Sequence, residues 1–180
     1  LPFVDIPRLL HHLRADGLLR DPNLARDQAL AAVAAVLPGR RSEWRALSLA
    51  HATLVVQPRI SSVDAPRSLP LHEWFATPAR WRQFDFEIQI VVSGSKADQL
   101  ERVGYVKRLF HRANDVWSPA LSLLNLADHV RRLAPEGASL PDMPLFPIFV
   151  NGLHRMSTNA PSTVLQRVSR LKTGVAASAH

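Results

Sequence analysis

Four basic side chains stand close together in the middle of the chain, and their chemistry is the binding of anions. Arg108, His111 and Arg112 are spaced so that a helix would carry them on one face, with Lys107 beside them. Cations in the last turns of a helix also offset the helix dipole, by about 0.3 to 1 kcal/mol each, which would account for two of the four. The other two favour a basic patch that contacts phosphate or acidic protein, although charge runs are usually solvated surface.

A second group combines arginines with indole rings. Arg80 and Arg82 flank Trp81, and Trp74 is nearby in the sequence. Arginine and aromatic side chains together can stack on the bases of RNA. The alternative is that both tryptophans fill the core beside the strand that follows, as large aromatic side chains commonly do.

The C-terminal residues 151–180 are strongly basic. They hold four cations and no carboxylate, which is over half of the chain's net charge of +7. These cations are Arg155, Arg167, Arg170 and Lys172. Arginine predominates over lysine in the whole sequence, and its planar guanidinium suits phosphate. The tail therefore favours a nucleic-acid or acidic-protein partner, while a general arginine bias that serves solubility is the alternative.

Motifs for catalysis and metal binding are missing from the sequence. The chain has no cysteine, which excludes disulfide scaffolds, thiolate metal sites and thiol nucleophiles. Its eight histidines include no H-x-x-x-H pair, and there is no G-x-S-x-G. The run Ser93-Gly94-Ser95-Lys96 lacks the glycines of a phosphate-binding loop and fits an ordinary helix cap. We therefore predict no catalytic residue, no metal and no cofactor.

Hydrophobic spacing predicts the elements that would position these groups. Helices are predicted at residues 1–17, 22–37, 43–51, 95–114, 118–132 and 161–172. The helix at 95–114 would present an apolar stripe that includes Leu109 and Phe110. Strands are predicted at 53–60, 84–92 and 146–150, and loops at 61–70 and 135–144.

Two details of the predicted strands bear on the site. Pro58 places the first strand at the edge of the sheet. Alternation along 84–92 buries one face and leaves Asp85 and Glu87 on a solvated face.

These elements predict an α+β fold in which a small, mostly antiparallel sheet is packed by five or six helices. At 180 residues one domain is the default, so we expect a single domain over 1–150, with a helical part at 1–51. Residues 151–180 would form a basic C-terminal extension.

The chain has no apolar run long enough for a membrane span, and the absence of cysteine argues against a disulfide-stabilised secreted protein. An organellar matrix or the cytoplasm is the favoured compartment. The chain starts at Leu1, as a processed product or an excerpt of a longer protein would.

The function predicted from these features is that of a non-catalytic, arginine-rich component of a larger assembly. The favoured assembly is an RNA-binding ribonucleoprotein, such as a bacterial or mitochondrial ribosome-like particle. One alternative is a protein–protein scaffold, as a subunit of a large complex or viral shell whose basic tail docks on acidic protein. The other is an enzyme whose site the motifs do not mark.

Overall fold

The computed structural model of the chain describes residues 21–37, 41–56, 67–74, 81–92, 105–113, 115 and 118–156. Its α-helices in this part of the chain are α1 (Pro22–Val36), α2 (Arg41–Ala46) and α3 (Pro119–Leu133). Its strands are β1 (Ala52–Val56), β2 (Arg67–Pro70), β3 (Phe86–Val92), β4 (Tyr105–His111), β5 (Pro147–Phe149) and β6 (Leu153–Arg155).

Strands β1 to β4 form an antiparallel sheet in the order β2-β1-β3-β4, and β5 and β6 form a separate hairpin. The predicted α+β class with a small antiparallel sheet is confirmed. The predicted strand at 146–150 exists as β5, but it lies in the hairpin and not in the sheet. In place of the predicted five or six helices, the described residues contain three, of which two are long.

One face of the sheet packs against the helices. Phe86, Ile88, Ile90 and Val92 alternate along β3 and are at most 1% exposed. Helix α3 lies against β3 and β4, and α1 packs on α3. The inward side chains of the sheet and the buried faces of both helices form one hydrophobic core. The sheet therefore has a helix-covered inner face and an outer face that the two long helices leave open.

Local capping chemistry sets the start of both long helices, as predicted. The Asp21 carboxylate accepts hydrogen bonds from the backbone N–H groups of Asn23 and Leu24, at 2.8 and 2.9 Å. The Ser118 hydroxyl accepts from the backbone N–H of Leu121 at 3.0 Å. Each cap is followed by a proline at the first helical position, whose fixed φ suits that place.

The predicted helix at 95–114 is wrong over Tyr105–His111, which forms β4. Val106, Leu109 and Phe110 fit a helical stripe, but in the structure burial alternates from residue to residue along 106–111. Pairing with β3 along seven residues decides between the two structures, because it satisfies the backbone and buries Leu109 opposite Ile88. Residues 95–104 and 114 lie outside the described part.

Strand β1 is an interior strand between β2 and β3, so its predicted edge position is wrong. The two edge strands of this sheet are β2 and β4, and β2 lies in the predicted loop at 61–70. Its four residues are mostly exposed and end at Pro70, so they give little hydrophobic signal. The predicted helix at 43–51 is divided into α2 and a 3-10 turn at Leu49–His51. The predicted helices at 1–17 and 161–172 lie outside the described residues.

The hairpin of β5 and β6 is joined to α1 by two hydrogen bonds between the Asn23 side chain and the backbone of Phe149. The Asn23 amide donates to the carbonyl of Phe149 at 3.2 Å and accepts from its N–H at 3.4 Å. The turn between the strands has Asn151 and Gly152 at positive φ, a conformation that glycine adopts without strain. Met156, just after β6, is 1% exposed, so residues 151–156 of the predicted extension pack on the domain.

Candidate nucleic-acid interface

Strand β4 divides the predicted basic patch between the two faces of the sheet. Lys107 and His111 point inward with Leu109 and are 9% and 2% exposed. Arg108 and Arg112 are exposed, Arg108 on the outer face with Phe110 and Arg112 just after the end of the strand. The structure therefore leaves two of the four predicted cations exposed and places the other two on the inner face. The reason is the two-residue repeat of a strand, which replaces the helical repeat assumed from the spacing.

The side chain missed by sequence analysis is Phe110, which was predicted to belong to the apolar stripe of a helix. It is 62% exposed, the highest value among the large exposed hydrophobic side chains of the described residues. Arg108 lies two residues before Phe110 on the same face of β4, at about 7 Å along the strand. Arg112 follows just after the strand ends and lines a cleft together with Phe110. We call these three residues, Arg108, Phe110 and Arg112, the β4 row. The sequence carries no alternation that could have identified it, because apolar and basic residues come in pairs along 105–112.

The outer face beside the β4 row carries polar groups from β3. Glu87 is paired with Phe110 and Gln89 with Arg108 across the two strands. The Gln89 amide donates to the Glu87 carboxylate, which also lies 4.0 Å from the Arg108 guanidinium. The Glu87 side chain is only 5% exposed, so its predicted solvation is wrong. The negative charge of Glu87 partly offsets the positive charge of Arg108. Arg112 has no ion pair among the described residues.

His111 has a structural position between β4, α3 and the segment before β3. Its Nδ1 lies 2.8 Å from the Ser118 hydroxyl and its Nε2 lies 3.4 Å from the carbonyl oxygen of Arg82. The ring also packs on Phe86, at 4.8 Å between centroids. The Ser118 hydroxyl, which also accepts from the backbone N–H of Leu121, joins His111 to the start of α3. These bonds tie the end of β4 to the start of α3.

Lys107 lies among aromatic rings and not on the surface. Its ammonium is 5.0 Å from the ring of Trp44 and 5.2 Å from that of Tyr105. The Tyr105 hydroxyl donates to the Glu43 carboxylate at 3.2 Å. Burial lowers the pKa of Lys107 below its ordinary value of 10.5, and the nearby charge of Glu43 offsets part of this effect.

The lowered pKa of Lys107 predicts a pH-dependent stability. In the window between that pKa and 10.5 the unfolded chain binds more protons at this group than the folded chain does. The free energy of unfolding should therefore rise with pH in that window. We expect Lys107→Met to lack this rise when urea unfolding of both proteins is compared at several alkaline pH values. Parallel pH profiles for the two proteins would contradict the prediction.

The tryptophans near Arg82 pack against each other in the interior. Trp74 is 2% exposed and lies 5.6 Å from Trp81, which in turn lies 6.1 Å from Phe86. Trp74 therefore cannot stack on an external base. The Nε and Nη2 atoms of Arg82 are buried and make no hydrogen bond among the described residues. Arg80 lies outside them.

Arg155, in β6, uses its guanidinium within the protein. It donates to the backbone carbonyls of Arg45, Ala46 and Asp142, at 3.4 to 3.5 Å. Two of these carbonyls are at the C-terminal end of α2, where a cation is electrostatically favourable. The other three predicted tail cations, Arg167, Arg170 and Lys172, lie outside the described residues.

A cleft of about 550 Å³ lies where β3 begins and β4 ends, and it adjoins the β4 row. Asp85, Phe86, Phe110, His111 and Arg112 line it. Phe86 and His111 belong to the inner face and Phe110 to the outer face, so the cleft passes around the end of the two strands.

Two further properties of the described residues concern metals and membranes. They contain no group of three or more side chains placed to hold a metal ion. None of their helices combines the length and the apolar character that crossing a bilayer requires.

No protein-family model matches the chain, and no curated protein or solved structure is significantly similar to it. The β4 row is therefore interpreted from its own chemistry.

Proposed function

We propose that this protein is a non-catalytic, arginine-rich component of a ribonucleoprotein and that it contacts RNA through the β4 row. The observation that carries the proposal is the exposed ring of Phe110 on the outer face of the sheet, with the exposed Arg108 two residues before it and the exposed Arg112 two residues after it. Exposing a phenyl ring to water is unfavourable, so a ring held out on a strand between two cations favours a ligand with both flat rings and negative charge.

RNA has this combination of chemistry. Its unpaired bases stack on aromatic side chains, which contributes about 1 to 3 kcal/mol per base, and its phosphates bind guanidinium groups. The face of a small antiparallel sheet is a suitable support because its rows of side chains are spaced regularly. The two arginines on either side of Phe110 would then hold the backbone while the ring holds a base.

The distribution of charge supports a partner of large negative charge. The described residues hold eleven basic and ten acidic side chains, and the rest of the chain holds eleven basic and five acidic ones. The excess of positive charge thus lies mainly outside the described part, Arg167, Arg170 and Lys172 included. In the proposal these residues supply general attraction to phosphate, and the β4 row supplies the local contact.

The salt dependence of RNA binding tests the proposal. Each phosphate contact with a single strand contributes about 0.7 to the slope of log affinity against log salt concentration. Replacing both arginines of the β4 row, as Arg108→Gln with Arg112→Gln, should therefore make the slope shallower by roughly 1.4. Fluorescence anisotropy with a labelled single-stranded RNA measures the slope on the full chain.

The matched control is Arg132→Gln, because Arg132 is an equally exposed arginine on α3, where it pairs with Asp128 at 2.9 Å. It should leave the slope unchanged. An identical slope for the wild type and the double variant would contradict the proposal. Truncation after Val150 is a poor test of the tail, since it removes β6 and the buried Met156. Replacing Arg167, Arg170 and Lys172 by glutamine is a better test of the tail, because it leaves residues 1–156 intact.

A protein–protein scaffold is the second candidate, and one observation favours it. Val91 and Val106 are paired across β3 and β4 and are 41% and 49% exposed, so the outer face has an apolar part beside Phe110. A protein partner could cover all three side chains. A stable assembly that contains only protein, with no absorbance of co-purified nucleic acid, would favour this function over RNA binding.

A further inference from the structure

The cleft at the end of β3 and β4 brings together two opposite charges that do not neutralise each other. Asp85 and Arg112 both line it and both are exposed, yet neither has an ion-pair partner among the described residues. The volume of about 550 Å³ lies within the range of small-ligand sites. A ligand that fills this cleft would meet a cation, an anion and an aromatic ring.

The Asp85 carboxylate is held in place by the protein. One of its oxygens, Oδ1, accepts a hydrogen bond from the backbone N–H of Ala113 at 2.7 Å. This bond joins the residue before β3 to the residues after β4 and fixes the direction of the carboxylate. The second oxygen makes no hydrogen bond among the described residues. It can accept a hydrogen bond from a ligand. An ionised carboxylate has acceptors and no donor, so the ligand must supply the donor.

Phe110 and Arg112 supply the other two contacts. The Phe110 ring has no aromatic partner among the described residues and is 62% exposed, so a planar group can lie on it. Arg112 follows two residues later and lines the same cleft, and its guanidinium suits a phosphate oxygen. A nucleotide has a planar base and a phosphate at about the separation of neighbouring side chains in a row, so one nucleotide can use both contacts.

We propose that this cleft receives one unstacked nucleobase of single-stranded RNA and that Asp85 selects a base with an exocyclic amino group. The proposal rests on the proposed RNA-binding function and specifies its ligand. Adenine, cytosine and guanine each carry an exocyclic amino group that can donate to a carboxylate, whereas uracil has carbonyl oxygens in these positions and only its ring N3–H to donate. The carboxylate accepts from the amino group and repels the carbonyl, so the cleft should disfavour uracil.

The same geometry disfavours double-stranded RNA. In a duplex each base is covered by its neighbours on both sides, and its pairing edge is occupied by the opposite strand. Neither the Phe110 ring nor the Asp85 carboxylate could then reach a base. Phosphate contacts to Arg108 and Arg112 would remain possible, so duplex binding should be weaker and insensitive to changes at Phe110 and Asp85.

Anisotropy titrations of the full chain with labelled oligoadenylate, oligocytidylate and oligouridylate of one length test the proposal, with an RNA duplex as the fourth probe. The wild type should bind the adenine and cytosine strands about tenfold more tightly than the uracil strand. Phe110→Leu should weaken binding of the adenine and cytosine strands by about tenfold, since it removes stacking but keeps an apolar side chain. Val106→Ala, on the same strand face, is the control and should change none of the affinities.

Asp85→Asn gives the most specific result. The amide oxygen can still accept from Ala113, while the new amide N–H₂ can donate to the carbonyl oxygen of uracil. We expect this variant to bind the adenine and cytosine strands more weakly than the wild type does and the uracil strand more tightly. The preference for amino-bearing bases is then lost. A merely structural role of Asp85 would weaken all strands alike, and that result would overturn the proposal.

The outcomes separate this inference from the function on which it rests. Equal affinity for the three strands and the duplex, together with a shallower salt slope in the Arg108→Gln and Arg112→Gln double variant, would overturn the base site and leave RNA binding in place. If that double variant binds RNA with the affinity and the salt slope of the wild type, both the proposed function and the base site are overturned. A protein-only assembly in which the β4 row is covered by protein would overturn both as well.

Discussion

Replacing Asp27 by alanine should lower the free energy of unfolding by about 3 to 5 kcal/mol. Asp27 forms an ion pair with Arg26 inside the protein, where the two side chains are 5% and 7% exposed, and the Arg26 Nε lies 2.8 Å from the carboxylate. The arginine also donates to Asn23 and to the carbonyl of Pro147, so it cannot turn outward without losing contacts to β5. Without Asp27 a buried positive charge would lose its counter-charge.

A double variant shows whether the charge is the cause. Arg26→Met combined with Asp27→Leu removes both charges and keeps apolar volume, so it should be much less destabilising than Asp27→Ala alone. Urea unfolding followed by circular dichroism gives the free energies. A double variant that is less stable than Asp27→Ala would mean that the pair's hydrogen bonds, and not charge compensation, dominate at this position.

Replacing Leu109 by alanine should cost about 2 to 5 kcal/mol of unfolding free energy. Leu109 is 2% exposed and is paired with Ile88 in the centre of the inner face, so its truncation removes burial and leaves a cavity. Arg108→Ala, on the neighbouring residue, should cost no more than about 1 kcal/mol, because its exposed guanidinium lies 4.0 Å from Glu87. Urea unfolding measures both.

Phe110→Ala distinguishes the strand from the helix that the hydrophobic spacing predicts. In that helix Phe110 and Leu109 share the buried stripe, and truncating the ring would cost about 3 to 5 kcal/mol. In β4 the ring is 62% exposed, so a loss well below that of Leu109→Ala is expected. Equal losses for the two variants would contradict the alternation of β4. A small loss would also show that Phe110 variants remain folded in RNA-binding experiments.

The arginines of the described residues differ in what their guanidinium groups contact. Arg26 and Arg155 bond to groups of the protein itself, whereas Arg112 lies exposed beside a cleft. The net charge of +7 is therefore no measure of the number of cations that are exposed for a ligand. Only cations that the fold leaves exposed and without an internal counter-charge are available to phosphate.

Local chemistry made part of the fold predictable from the sequence. Asp21-Pro22 and Ser118-Pro119 combine a capping side chain with a proline at the first helical position, and both long helices begin there. Alternation from Phe86 to Val92 identified the central strand and its buried face. These features depend only on residues close together in the chain, so no knowledge of distant contacts was needed.

Tertiary contacts decided the rest, including the candidate site. The segment 105–111 has the spacing of a helical stripe and no strand alternation in its sequence, and its pairing with β3 makes it a strand and turns Phe110 outward. Glu87 is buried on an outer face because Gln89 and Arg108 lie beside it. Charge and spacing thus determined that this chain would be basic and of mixed α+β structure. The exposure of its cations depended on pairings between residues far apart in the sequence. The reason is that burial is a property of the packed chain and not of any segment alone.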